Sequence, residues 1–334
     1  MIKSRFVFVI LALTVAGTCL NAQRVSEKHA GRPVATYSIV AIDSVNGEMG
    51  VAVQSHWYSV GSLVTWARAG VGVVATQSLV DVSYGPLGLD LMQGGKTAQQ
   101  AMNALTTADP HSAVRQVAMI DVRGNIAAHT GGRCIPEAGH QQGATYSVQA
   151  NMMLNDTVWP EMAQAYEEAD GDLAARLLAS LDAAQAAGGD IRGKQSAAIL
   201  IVKTESSGKP WEDTVMELRV EDHENPVQEL GRLIHLHRAY VHMNRGDLAL
   251  ERNDVETALK EYSKAESMAP ENLEMKFWHA VSLVNVGRVD ESIPIFQKVF
   301  AEDSNWATLL RRLPEVGQLQ ADEETVDGII DQAK

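Results

Sequence analysis

The chain has 334 residues, 46% hydrophobic and 21% charged, which suits a globular protein with room for two domains. Its net charge of -14 argues against nucleic acid as a partner, because neutralising phosphates takes clustered Lys and Arg. The same charge gives no attraction to anionic membrane surfaces.

Lys3 and Arg5 form a basic start, and residues 6–16 an apolar run too short to span a bilayer. Leu20-Asn21-Ala22 supplies a small residue for signal-peptidase cleavage. Residues 1–22 are therefore read as a signal peptide, Gln23 as the first residue after cleavage, and the protein as exported, periplasmic or secreted, with no other membrane span. Cys19 raises a lipoprotein reading, but Ala16-Gly17-Thr18 before it is a poor lipid-attachment context. Cleavage at Ala22 leaves Cys134 as the one cysteine, so no internal disulfide is expected.

Residues 23–35, with Gly31 and Pro33, read as an irregular leader. Residues 36–43 and 49–55 are apolar, β-branched runs around Asn46-Gly47, which predicts a β-hairpin. Thr36, Ser38, Val40 and Ile42 share one face of the first strand; Tyr37, Ile39 and Ala41 share the other. Both faces are largely apolar, which predicts burial on both sides. Strands follow at 64–68 and 71–76, parted by Ala69-Gly70. Gly85-Pro86 opens a helix carrying Leu87, Leu91 and Met92, and Gly94-Gly95 ends it. Thr97 caps a helix with Ala98, Ala101, Met102 and Leu105 on one stripe, stopped at Asp109-Pro110. Strands at 116–121 and 126–130 enclose a turn at Gly124-Asn125, and Gly131-Gly132 with Gly139 mark a flexible loop. A strand at 146–150, helices at 160–169 and 173–187 closed by Gly188-Gly189, and strands at 197–203 and 215–220 complete this part. Helices in pairs between groups of strands argue against βαβ units. They predict two antiparallel sheets packed together with a helical layer outside each, an α/β four-layer αββα sandwich over 36–225.

From residue 226 the pattern is all-helical. Gly246, Ala258, Tyr262, Ala265 and Pro270 fall on the spacing of a tetratricopeptide repeat, whose period is about 34 residues. One period on from Ala258, Tyr262 and Pro270 stand Ser292, Phe296 and Ser304, a degenerate second copy. Residues 226–320 are read as a helical-repeat domain that leans on the first domain, with 233–243 as connecting helix and 306–316 as cap. Residues 321–334 read as an acidic tail with one short helical turn.

Several separated motifs carry a resemblance. They are Ala35-Thr36-Tyr37-Ser38-Ile39-Val40-Ala41, the run from Trp66-Ala67-Arg68-Ala69-Gly70 through Gly72 to Ala75-Thr76-Gln77, Tyr84-Gly85-Pro86-Leu87-Gly88, His129-Thr130-Gly131, Ser147-Val148-Gln149-Ala150-Asn151, and the run from Gly188-Gly189-Asp190 to Gln195-Ser196-Ala197-Ala198. Together, over about residues 36–223, they resemble the uncharacterised bacterial domain-of-unknown-function family 1028. That family is grouped with the N-terminal-nucleophile hydrolases, whose fold is the four-layer sandwich. The resemblance implies amide-bond hydrolysis of an unknown small amide or peptide ligand.

Thr36 fits the logic of that class. A threonine Oγ needs a base beside it, and the α-amine of a first residue, with pKa about 7.7–8.0, can serve. Residues 23–35 stand in front of Thr36, so the reading requires a cut between Ala35 and Thr36. Backbone N–H groups of Gly70-Val71-Gly72 or Gly131-Gly132 are the candidate oxyanion donors, that is Gly72 or Gly131. The resemblance implies that Asp190 and Ser196 steady the nucleophile. His129 is a candidate acid or base, and equally a strand-end histidine bonded to backbone. Gln77, Ser78, Asn151 and Gln195 are polar residues at strand ends, where a pocket collects them, although each also suits a turn. Arg68 and Arg192 are candidates for a substrate carboxylate, or paired surface arginines.

No metal site is expected. His235 and His237 split across a helix, and Cys134 with His129 or His140 lacks zinc-ligand spacing. No phosphate loop is present and no cofactor is expected, and a serine nucleophile on a Gly-x-Ser-x-Gly elbow is absent too. The sequence thus supports an exported amidohydrolase of the N-terminal-nucleophile type. Its rival is a non-catalytic binding module on the same scaffold, with the helical repeats engaging a protein partner. The oligomeric state is open, a homo-oligomer included.

Overall fold

The computed structural model describes residues 36–333. The signal peptide and leader readings fall outside them. The chain divides into two units between Gly231 and Arg232.

In the first unit, β1 (Thr36–Asp43) and β2 (Glu48–Ser55) form the expected hairpin. The four-residue loop between them takes the left-handed conformation at Gly47 only, at φ +68°, and Asp43 Oδ1 caps it by accepting from the Val45 and Asn46 amides. A one-turn helix, α1 (Gly61–Val64), leads into β3 (Thr65–Arg68) and β4 (Gly72–Ser78). Next come α2 (Tyr84–Gln93) and α3 (Ala98–Ala108), the latter opened by a capping box between Thr97 and Gln100. β5 (Arg115–Asp121), β6 (Ile126–Thr130), β7 (Gly139–Gln142) and β8 (Tyr146–Asn151) follow. The unit continues through α4 (Val158–Glu168), α5 (Leu173–Ala186), β9 (Ser196–Lys203), the single turn α6 (Pro210–Asp213) and β10 (Thr214–Val220).

The strands form two sheets, ordered β10-β9-β2-β1-β8-β7 and β3-β4-β5-β6, with every neighbouring pair antiparallel. Their inner faces meet over Val40, Val51, Val53, Val73, Ala75 and Ile120. α2 and α3 cover the outer face of the smaller sheet through Leu89, Met92, Ala101 and Met102 against Val74, Val117 and Met119. α4 and α5 pack on β1, β2 and β8 of the larger sheet. β1 lies inside that sheet, and Thr36 to Ala41 are fully buried, as the two apolar faces predict.

Three local readings need correction. Leu87 is 47% exposed, because α2 begins at Tyr84 and buries Gly85, Gly88, Leu89 and Met92 instead. The loop read through Gly139 contains β7, an edge strand; its sequence Gly-His-Gln-Gln has no hydrophobic alternation to reveal it. The stretch read as an acidic tail with one short helical turn carries α12, introduced below, which buries Val326, Ile329 and Ile330.

α7 (Pro226–Glu251) crosses the unit boundary. The second unit continues with α8 (Val255–Met268), α9 (Leu273–Asn285), α10 (Val289–Glu302), α11 (Asn305–Arg312) and α12 (Glu323–Gln332). α8 packs on α9 and α9 on α10, while α12 packs on α10 and α11. Gly246 is small for a reason: a Cβ there would lie 2.8 Å from the Tyr262 ring, whose hydroxyl donates to Asp247 Oδ1 at 2.5 Å. Between α8 and α9, Glu266 Oε2 meets His279 Nδ1 at 2.9 Å. That bond holds the Glu266 carboxyl below its ordinary value against the opposing effect of burial. A carboxyl lowered in the folded state stabilises the fold above its unfolded value, and the gain is lost as pH falls through the folded value. Glu266→Gln is therefore expected to cost about 1 kcal/mol near neutral pH. The difference from wild type should vanish on acidification, as read by urea midpoints across pH.

Candidate functional site

The antiparallel registers bring polar strand ends to one edge of both sheets. Thr36 pairs with Ser55 and Asn151, Ser55 with Ser196, Ser78 with Arg115, and Gln116 with Thr130. Along the inner face of β1 the side chains run Thr36, Ser38, Val40, Ile42, so the interior is polar at this edge and apolar further in.

The polar end is a buried hydrogen-bond network spanning the sheets. Ser38 Oγ donates to Gln77 Oε1 and accepts from Gln149 Nε2, both at 2.6 Å. Gln116 Oε1 accepts from Gln77 Nε2 at 2.7 Å and from Asn151 Nδ2 at 2.9 Å. Gln116 Nε2 donates to Thr130 Oγ1 and to the Gly139 and Ala150 carbonyls at 2.8–3.1 Å. Thr36 closes it: its carbonyl accepts from Gln77 Nε2 at 3.3 Å and Asn151 Nδ2 at 3.4 Å, and its Oγ1 donates to Ser55 Oγ at 3.3 Å. Asn151 Oδ1 is buried without a partner among the described residues. The hydroxyl and amides around Thr36 are neutral, and none is a base at neutral pH.

Beside this network Asp190 is anchored. Its Oδ2 accepts from the His56 amide at 3.0 Å and Arg192 Nη2 at 2.8 Å; its Oδ1 accepts from the Arg192 amide and Nε. Two non-glycine residues here hold positive φ: Ser78 at 74°, at the end of β4, and Met152 at 57°, just past β8. Such backbone persists only where the surroundings over-determine it, and it clusters at functional sites.

Of the residues singled out from sequence, the structure brings Thr36, Gln77, Ser78, Asn151, Asp190 and Ser196 to this edge. Ser196 Oγ is engaged by the Trp57 carbonyl and the Val60 amide, pinning the turn before α1. Arg192 serves Asp190, and Gln195 donates to Asp222 Oδ1 at 3.1 Å. Four others are not part of the cluster. Arg68 and Gly72 pair with each other at the opposite end of the smaller sheet, where Arg68 bonds Asp90 and Gln93. Gly72 is required by packing, since a Cβ there would meet the Ile120 carbonyl at 2.4 Å. Gly131 donates its N–H to the Arg115 carbonyl at 2.9 Å, and a Cβ on it would lie 2.3 Å from the Ala113 carbonyl. His129 sits on the face of β6 opposite Thr130 and bonds the Ser112 carbonyl at 2.8 Å. Sequence reasoning missed Ser38, Ser55, Gln116 and Gln149. Their one signal was a polar residue at an inward position of an otherwise buried strand.

No curated protein matches this chain. Among solved structures, the crystal structure of protein SPO2555 from Silicibacter pomeroyi, assigned to DUF1028, is similar at 30% identity and a TM-score of 0.54, covering 60% of this chain and 88% of that one. The match to the family of unknown function DUF1028 runs over residues 36–230, from the strand that Thr36 opens to the start of α7, and the chain belongs to that family.

Proposed function

We propose that the protein is an amidohydrolase of the N-terminal-nucleophile type, acting on a small amide or peptide, with Thr36 as nucleophile and its two helix-covered sheets as the four-layer sandwich of that class. The observation that carries this reading is the setting of Thr36. It heads a central strand, its hydroxyl meets Ser55, and two buried amides, of Gln77 and Asn151, converge on its carbonyl.

The chemistry follows from a cut between Ala35 and Thr36. Cleavage frees the α-amine, which takes the proton from Thr36 Oγ as that oxygen attacks the substrate carbonyl carbon. The C–N bond breaks, the α-ammonium returns its proton to the leaving amine, and water, deprotonated by the same amine, hydrolyses the ester left on Oγ. Asn151 Oδ1, a buried acceptor on the paired strand, suits an N–H of that α-amine. Thr36 is fully buried in the uncut chain, in keeping with a nucleophile withheld before processing. Export belongs to the same reading, as does protein docking by the helical unit, where Gly246 and Tyr262, two positions of the repeat spacing, stand against each other.

The intact mass and N-terminal residue of the mature protein test the proposal. A chain that starts at Thr36 and turns over amide substrates is the expected result. A chain that keeps Ala35 blocks the amine and overturns the mechanism.

A further inference from the structure

The face of the six-stranded sheet opposite Thr36 Oγ1 holds a second polar feature. β2 turns its even-numbered residues toward α5: a Cβ on Gly50 would lie 3.0 Å from Leu177. Tyr37 shares that face, and its hydroxyl donates to Gln185 Oε1 at 3.1 Å. Where α5 ends, before the first turn of α7, there is a cavity of about 230 Å³. Asp182, Gln185, Lys194, Asn225, Val227 and Gln228 line it. Gln54, paired with Tyr37 on the same face, is fully buried with both amide atoms unpartnered among the described residues, so this corner of the sheet is polar to its base.

The lining carries one carboxylate and one ammonium that do not neutralise each other. Lys194 Nζ donates to the neutral Asn225 Oδ1. Burial pushes the Asp182 carboxyl up. Opposite charges that do not pair within one small cavity, with three carboxamides in the same lining, match a ligand that carries both charges itself. The volume lies below the about 300–1,000 Å³ of drug-sized pockets. It suits a ligand the size of a single amino acid.

We infer that this cavity is a binding site for a free α-amino acid, its carboxylate on Lys194 and its ammonium on Asp182. Gln185, Asn225 and Gln228 take the remaining hydrogen bonds, and Val227 meets the side chain. Gln185 also holds the Tyr37 hydroxyl, so an occupant that draws on Gln185 acts on the residue next to Thr36. The site stands independently of the hydrolase reading.

Thermal shift and calorimetry on the full chain test it, with the individual L-amino acids, their N-acetyl derivatives and their C-terminal amides as probes. At least one free amino acid is expected to raise the melting temperature and titrate to saturation. Removing either charge from that ligand should weaken binding about tenfold or more, the scale of a lost hydrogen bond to a charged group. Asp182→Asn and Lys194→Gln, both at half-exposed or exposed positions, should do the same while circular dichroism stays unchanged. Thr36→Ala should bind as wild type does; loss of binding there would place the ligand at the other site and overturn this one. Silence of every free amino acid at millimolar concentration, or equal binding of the blocked forms, would also overturn it.

Discussion

Replacing Gln116 by leucine is expected to lower the stability of the first unit by about 3 kcal/mol or more, because one side chain serves both sheets. Its Nε2 satisfies Thr130 Oγ1 and the Gly139 and Ala150 carbonyls, and its Oε1 receives Gln77 and Asn151. Thr130 keeps His140 as a partner, and the two amides keep longer bonds to the Thr36 carbonyl. The two carbonyls lose this donor but stay in the β7–β8 ladder, and at about 0.5–1.5 kcal/mol net for each of the five hydrogen bonds removed the sum runs to several kcal/mol. Leucine recovers some transfer energy by its own burial, which is why the smaller end of the summed range is the better figure. The measurement is a urea titration, where a lower midpoint with unchanged slope reports lost stability. Gln99→Leu on the exposed face of α3 is the control, expected within about 0.5 kcal/mol of wild type. If Gln116→Leu behaved like that control, the inter-sheet network would not be what orders this edge.

The same network shows what the sequence made readable. Period-two alternation over 36–43 identified the inward face of β1, and the polar-to-apolar change along Thr36, Ser38, Val40 and Ile42 was there to see. Nothing local says that Ser38 meets Gln77 and Gln149, which are 39 and 111 residues away; sheet pairing makes those neighbours. Glycines misled for a related reason. A glycine signals a backbone that must approach something closely or turn sharply, and at Gly72 and Gly131 the close neighbours are the carbonyls of Ile120 and Ala113. Arg68 looked available because its partners Asp90 and Gln93 sit on a helix 22 and 25 residues on. In residues 321–334 the acidic residues dominate the composition, yet Val326, Ile329 and Ile330 stand at helical spacing and are buried.

Under the proposed mechanism Thr36→Ala is expected to abolish amide hydrolysis, by a factor of about a thousand or more, since loss of the nucleophile removes the covalent route altogether. The structural cost should be far smaller. The hydroxyl makes a long 3.3 Å bond to Ser55 Oγ, and a typical hydrogen bond contributes about 1 kcal/mol net. The backbone carbonyl that Gln77 and Asn151 hold is untouched. Large loss of turnover with little loss of melting temperature would mark chemistry; parallel losses would mark a merely structural threonine. Thr36→Ser separates the cases further, because it keeps the oxygen and gives up one buried methyl. It should retain most turnover while being the less well packed variant. The N-terminal residue of each variant then locates the processing activity. If the Oγ of Thr36 itself attacks the preceding peptide bond, the alanine variant retains its leader and the serine variant sheds it. If another protease makes the cut, both variants lose the leader, and the alanine variant, with a free α-amine but no hydroxyl, stays inactive. An alanine variant that hydrolyses amides at the wild-type rate would remove Thr36 from the reaction.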